Sequence, residues 1–349
     1  MAKSAPDGAP EASGGPPASR LPASRLLDVA QAAGVSLRTA SRVLNDDPRV
    51  APVTRQRVRE AMLELRFEPD AMARSLRAGT DTAVGFVVES IADPFFAEVI
   101  DAVEQEMSRH GRPVLVTSTR RDPHWERDVI GRMMQRRVAG LLLCPTGDDH
   151  SWLDPRRVPI VLIDRPAPGL PADLVEIDDH RAAFDAAAHL IAHGHRRIAY
   201  VGDTPAIPTS AARLRGYRDA LAQHGVEVDE QLVNCECATS QAAAGAVSAL
   251  IGGSGPPTAI LSATTRASLG VVPALHSAGR TDIALVSFGD FPMADALRPA
   301  VTVVDHPGHE VGRAAAARLL ARLAQPGLPV QRIQEPVRII ERGSGELRP

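Results

Sequence analysis

Lysine is almost missing from this chain: Lys3 is the only one, and nearly every basic residue is arginine. Richness in arginine is therefore no sign of a polyanion partner unless a motif stands behind it. No apolar run approaches the ~18 residues of a bilayer-spanning helix, which excludes a helical membrane protein. The three cysteines, Cys144, Cys235 and Cys237, are too few for a disulfide framework and fit a reducing cytoplasm. The N-terminus, MAKSAPDGAPEASGGPPASR, carries no apolar segment and so no secretory signal. Residues 1–23 read as a disordered leader.

The 349 residues suffice for two or three domains with real cores, and the apolar (44%) and charged (23%) fractions are those of an ordinary globular protein. The net charge of −3 is unevenly spread. Residues 24–80 hold ten arginines against seven acids, whereas residues 81–349 have a net charge of −6. A small basic module joined to a larger acidic one fits a polyanion partner for the first part.

Within that basic module Leu26, Val29, Ala30 and Ala33 share one helical face, and Gly34 supplies a left-handed stop. Ser36 stands as N-cap of the next helix, GVSLRTASRVLN. Ala40, Val43 and Leu44 form its apolar face, and Arg38, Thr39, Ser41, Arg42 and Asn45 form a face of hydrogen-bonding groups without an acid. A third helix starts near Pro52 and carries Val58, Ala61, Met62 and Leu65 on one face. Three short helices with a tight turn between the first two fit a helix-turn-helix over residues 24–69, whose second helix enters the DNA major groove. The alternative is a surface helix of an ordinary bundle. EPDAMARSLRAG (68–79) follows, too short to be stable alone and suited to a hinge helix at 70–80 that folds on DNA, with Leu76 as an apolar wedge.

The run from Leu26 to Ile100 resembles the opening of a LacI/GalR-family transcription regulator: helix-turn-helix, hinge helix and first core strand without a gap. The resemblance puts base reading on Leu37, Arg38 and Arg42, and arginine is the natural partner of a guanine edge. It puts Thr39, Ser41, Asn45, Val50 and Thr54 on the phosphate backbone, Arg49 on the backbone or a base, and Leu76 at the centre of a palindromic operator. Three residues depart from the family pattern. Ala40 replaces a usual Val, Phe67 a usual Tyr, and Asp70 the usual hinge Asn, so DNA binding is expected to be weaker than typical but of the same mode.

From Thr82 onward strands and helices alternate. Runs at 83–88, 113–118, 140–145, 159–164, 198–202, 258–263 and 282–288 read as buried parallel strands. Repeated βα units imply doubly wound sheets, with ligands at the carboxyl ends of the strands. The resemblance implies a periplasmic-binding-protein-like α/β core of two parallel-sheet subdomains over 81–349. The expected first subdomain spans about 81–177 plus 305–327, the second about 178–304 plus 328–345. The chain would cross near Ile177, near Val304 and after HEVGRAAAARLLARL.

An enzyme is not expected. GGSGPP (252–257) precedes a strand and matches no phosphate loop, and no catalytic triad or paired carboxylates stand out. No cofactor and no metal are expected, since Cys235 and Cys237 lack a second pair and His193 and His195 fall in HGHRRIA, which resembles an ordinary family loop. The resemblance implies an effector cleft lined by Phe95, Phe96, Asp164, Arg213, Thr264, Thr265 and Asp290. Relatives carry Asn-Asp where Thr264 and Thr265 stand, and an acid where Gly289 stands. An effector other than a typical neutral sugar is therefore expected, an anionic metabolite being favoured because Arg213 loses a neutralising neighbour. The expected protein is a cytoplasmic, nucleoid-associated homodimer on a palindromic DNA operator, most simply a repressor of a metabolic or transport operon. Two alternatives remain open: a regulator controlled by a partner protein or by abundance, and a solute-binding protein.

Overall fold

The computed structural model describes residues 25–44, 47–67 and 82–349, which fall into two compact units divided at Ala78–Gly79. The hinge helix expected at 70–80, with Leu76, and Asn45 lie outside the described residues.

The first unit contains α1 (Leu26–Ala32), α2 (Leu37–Leu44) and α3 (Pro52–Glu64). Asp28 begins α1 by accepting the Arg25 amide at 2.7 Å, and Gly34 turns the chain at φ +63°. Ser36 caps α2, its Oγ accepting the Thr39 amide at 3.1 Å. Pro52 opens α3, where the missing N–H costs nothing. Val29, Ala30, Ala33, Ala40, Val43, Val58 and Ala61 are the buried core. Each buried methylene contributes about 0.8 kcal/mol, so a core of three valines and four alanines is only modestly stabilised.

The second unit is two doubly wound halves. The first holds β1 (Val84–Val88), α4 (Pro94–Arg109), β2 (Val114–Ser118), α5 (Pro123–Gln135), β3 (Gly140–Leu143), β4 (Ile160–Ile163) and β5 (Asp173–Ile177). The second holds α6 (Asp179–Ala192), β6 (Ile198–Val201), α7 (Pro208–Gln223), β7 (Val233–Asn234), α8 (Ser240–Gly252), β8 (Ala259–Ser262), α9 (Thr265–Ser277), β9 (Ala284–Phe288) and β10 (Thr302–Asp305). The chain then returns: α10 (Gly308–Ala324) packs on α4, β11 (Arg332–Glu335) joins the first sheet, and β12 (Arg338–Ile340) the second. The sheet orders are β11-β5-β4-β3-β1-β2 and β12-β10-β9-β8-β6-β7, and every pairing is parallel except that of β12 with β10.

All seven expected strands form, most of them shorter by a residue or two. The crossings follow β5, β10 and β11, so the assignment of 328–345 to the second half is corrected. Residues 332–335 hydrogen-bond β5 in the first sheet, and only from Arg338 does the chain join the second. Asp173 at the head of β5 explains why that strand is hard to see: its buried carboxylate is held by Arg318 and Arg322 of α10. His195 is a structural tie, with Nδ1 bonded to the Thr258 hydroxyl and Nε2 to the Leu347 carbonyl, both at 2.9 Å. The three cysteines are free, and among the described residues no group of His, Cys, Asp and Glu is arranged to hold a metal. No described helix is long and apolar enough to cross a membrane.

Candidate functional site

In the first unit, α2 buries Ala40 and Val43 and turns Leu37 and Arg38 fully outward, with Ser41 and Arg42 partly exposed beside them. Leu37 is 47% exposed, as are Leu27, Val53 and Leu63 of the same unit to at least that degree, so its exposure alone does not mark an interface. The Thr39 hydroxyl is engaged with the Ser36 hydroxyl at 2.8 Å, and Val50 and Thr54 are half-buried near the start of α3. Arg49 is exposed but not idle: it grips Asp47 with Nε at 3.0 Å and Nη2 at 2.8 Å. Arg42 Nε lies 3.7 Å from the same carboxylate. Side-chain and backbone hydrogen bonds from Arg49 hold the Asp47 carboxyl down at about 2. Asp47 is a residue that the sequence reading passed over, an acid that orients two arginines on the donor-rich surface.

In the second unit the carboxyl ends of the strands face a cleft between the halves, lined by residues of both. Six of the seven expected residues line it: Phe95, Phe96, Asp164, Arg213, Thr264 and Thr265. Asp290 does not. Its carboxylate is held by Arg342, with Nη1 at 2.9 Å and Nη2 at 2.5 Å, and it also accepts the Phe291 amide. The acid taken for an effector ligand is committed to the C-terminal segment.

Arg213, from α7, is likewise not short of a neutralising neighbour. Its Nε donates to Asp179 at 2.6 Å and its Nη1 to the Ala263 carbonyl at 2.9 Å, while its guanidinium lies 3.9 Å from the Phe288 ring centre. Arg213 is therefore not freed for an anionic ligand as expected: its counter-ion comes from α6. Burial pushes the Asp179 carboxyl up, and Arg213 works against that. His306 stacks on Phe95 at 3.7 Å between centroids, and burial, then Arg213, holds it neutral.

Most of the polar wall consists of residues that sequence reasoning missed. Glu89, directly after β1, accepts from Arg121 (2.7 Å), Arg165 (3.1 Å) and Arg266 (3.2 Å). Burial would raise its carboxyl, but Arg165, Arg121 and Arg266 outweigh that and hold it at about 2. Arg121 also reaches Asp203 of the other half at 2.5 Å, and Arg266 reaches back to Asp93 at 2.7 Å. Arg121 and Asp164 both stand in the left-handed region, at φ +63° and +73°, a backbone cost of about 1 kcal/mol or more each that the cleft geometry must offset. The charges on the cavity wall balance: Arg121, Arg165, Arg213 and Arg266 against Glu89, Asp93, Asp164 and Asp203. Thr209 and Ser210, at the uncapped start of α7, line the cavity, and no hydrogen bond of their hydroxyls is seen among the described residues.

The departures at 264, 265 and 289 form one unit. Thr264 caps α9 through the Ala267 amide, and the Thr265 hydroxyl donates to the Phe288 carbonyl. A Cβ at Gly289, whose φ is +89°, would lie 2.1 Å from that hydroxyl. Thr265 thus fills the place that a side chain at 289 would take. The only hint available in the sequence was that all three positions depart from the family pattern.

Residues 25–70 match the model of bacterial regulatory proteins of the lacI family, and residues 187–345 that of a periplasmic binding protein-like domain. The chain is 33% identical over 312 residues to the HTH-type transcriptional regulator GalR of Escherichia coli (strain K12), covering 87% of this chain and 90% of that protein. Among solved structures it is similar to the complex of the transcriptional regulator CelR with cellobiose, at 28% identity and a TM-score of 0.67, covering 92% of this chain and 99% of that one. It shares the fold of the lac repressor dimer bound to operator and the anti-inducer ONPF, at 23% identity and a TM-score of 0.82, covering 93% and 99%.

Proposed function

Because the chain belongs to the LacI family of bacterial transcriptional regulators, which are DNA-binding proteins and not enzymes, we propose that it is a dimeric repressor whose operator affinity is set by a small effector held between the two halves of its core. One helix-turn-helix meets too few bases for operator specificity, so two copies on a palindrome are the economical arrangement. Leu37, Arg38 and Arg42 read base edges. Thr39, Ser41, Asn45, Arg49, Val50 and Thr54 hold phosphates, and Leu76 opens the central step. Such a protein works where bacterial DNA lies, in the cytoplasm on the nucleoid.

The charge balance of the cavity wall carries the reading of the effector. Every arginine there faces a carboxylate, so an anion would displace an existing partner and gain little, and a cation would fare no better. A compact polar ligand of little net charge fits instead, taking the hydroxyls of Thr209 and Ser210 and stacking on Phe96 or the Phe95–His306 pair. CelR is bound to cellobiose in its structure. A second reading, control without an ordinary effector, is favoured by one observation: Arg121–Asp203 and Arg266–Asp93 already span the cleft.

Selection of bound duplexes by the full-length protein, followed by affinity measurement with and without a metabolite panel, tests both levels. A palindromic sequence bound at least ~1000-fold above random DNA is expected. Absence of any preferred sequence overturns the DNA reading. A preferred sequence whose affinity no uncharged or zwitterionic metabolite changes overturns the first reading of the cleft and leaves the second.

A further inference from the structure

The first sheet is parallel throughout, so its strands all begin at one end of the half, opposite the cleft. The chain arrives from the DNA-binding unit at that same end, at Thr82, two residues before β1. The loops that lead into β2, β3 and β4 there are rich in arginine: Arg112 before β2, Arg136 and Arg137 before β3, Arg156 and Arg157 before β4. Arg136 and Arg137 are exposed and have no acidic partner among the described residues. The side chains of Arg156 and Arg157 are 90% and 87% exposed, and they share one acid, Asp154. Arg109 at the end of α4 is matched by Glu106, and Arg318 and Arg322 are used up on Asp173.

This end is positive on a segment whose net charge is −6, so composition alone does not account for it. Nor does local conformation. Arg137 sits at φ +57° just past α5, where glycine is the unstrained choice, and arginine there costs about 1 kcal/mol. Arg136 and Arg137 make no ion pair among the described residues, and Arg156 and Arg157 are left with one carboxylate, Asp154, between two guanidiniums.

We propose that this end of the first half is a second DNA-contacting surface, which holds the phosphate backbone beside the operator without reading sequence. DNA presents one negative charge per ~1.7 Å of axis, which matches a spread of exposed guanidiniums rather than a single pocket. The linker of residues 68–81 spans at most ~50 Å when extended, so DNA gripped by the first unit is presented to the arginines at high effective concentration. Contacts too weak to bind DNA alone then add to operator affinity.

The inference rests on the DNA-binding reading of the first unit, and the test separates the two. Full-length protein is titrated with the selected operator as a minimal duplex and as the same duplex with ~20 random base pairs on each side. The wild type is expected to prefer the flanked duplex by about tenfold, with the slope of log K against log salt steeper by about 2 to 3. The triple variant Arg136→Gln/Arg137→Gln/Arg157→Gln is expected to lose that preference and slope while binding the minimal duplex as before. Lysine at the same three positions is expected to keep them. Equal wild-type affinity for both duplexes, or an undiminished flank preference in the glutamine variant, overturns the proposal. Failure to bind even the minimal duplex overturns the reading of the first unit instead.

Discussion

Replacing Arg121 by alanine tests whether the cleft is held shut by its own charges. Arg121 meets Asp203 across the cleft at 2.5 Å and Glu89 on its own side at 2.7 Å. Glu89 keeps Arg165 and Arg266 after the change. Among the described residues Asp203 keeps only the amide of Thr204, and its side chain is 5% exposed. A buried carboxylate stripped of its partner costs about 3–5 kcal/mol. Opening the halves returns Asp203 to water, so the cost falls on the closed arrangement and not on the fold of either half. Taking about 3 kcal/mol, the closed-to-open ratio falls about 150-fold. Small-angle scattering of the full-length variant should show a larger radius of gyration, with a thermal midpoint changed by no more than a few degrees. A double-mutant cycle with Asp203→Ala should give a coupling energy of several kcal/mol. A scattering curve superposable on the wild type's, together with a coupling below about 0.5 kcal/mol, would refute the reasoning.

Three further outcomes are expected. Arg42→Ala should cost about 1–3 kcal/mol of discrimination between the operator and single-base variants in a binding titration; an equal loss on every sequence would show that it touches only phosphates. Glu89 is held at about 2 against an ordinary 4.5, so its contribution is present above pH 4.5 and is lost as pH falls toward 2. That is worth about 3 kcal/mol of unfolding free energy, and Glu89→Gln should flatten this acid limb; an unchanged limb would remove Glu89 from the account. Gly289→Ala, with its Cβ against the Thr265 hydroxyl, should destabilise by about 1–3 kcal/mol, and Thr265→Ala should recover part of the loss in a urea titration. Strictly additive losses would mean that the two positions are independent.

The parts legible from sequence are those whose causes are local. Strands buried on both faces, such as Val84–Val88 and Gly140–Leu143, are unbroken apolar runs whatever their neighbours do. Ser36, Gly34 and Pro52 announce caps and turns by their own chemistry. β5 reads as DLVEI, and its two acids make sense only beside Arg322 of α10 and Arg332 of β11, about 150 residues away in sequence. The cleft follows the same rule. Phe95, Asp164 and Arg213 were found from the family pattern, but Glu89, Arg121, Asp203 and Arg266 are partners of one another across as many as 177 residues. No spacing within the chain records such a meeting. Asp290 failed for the converse reason: its partner, Arg342, belongs to a segment with no motif.

The three crossings between the halves also limit how the halves can move. Asp178, Val304 and the segment from Glu335 to Ile339 border a single cavity, so the connections run side by side. Two bodies joined along one line can swing about that line, but sliding or twisting would stretch at least one of the strips. Whatever fills the cleft, its message to the other end of the first sheet is reduced to a single angle. Ligands of different shape are then interchangeable if they set the same angle. The chemistry that lines the cleft and the mechanics of the hinge can therefore vary independently.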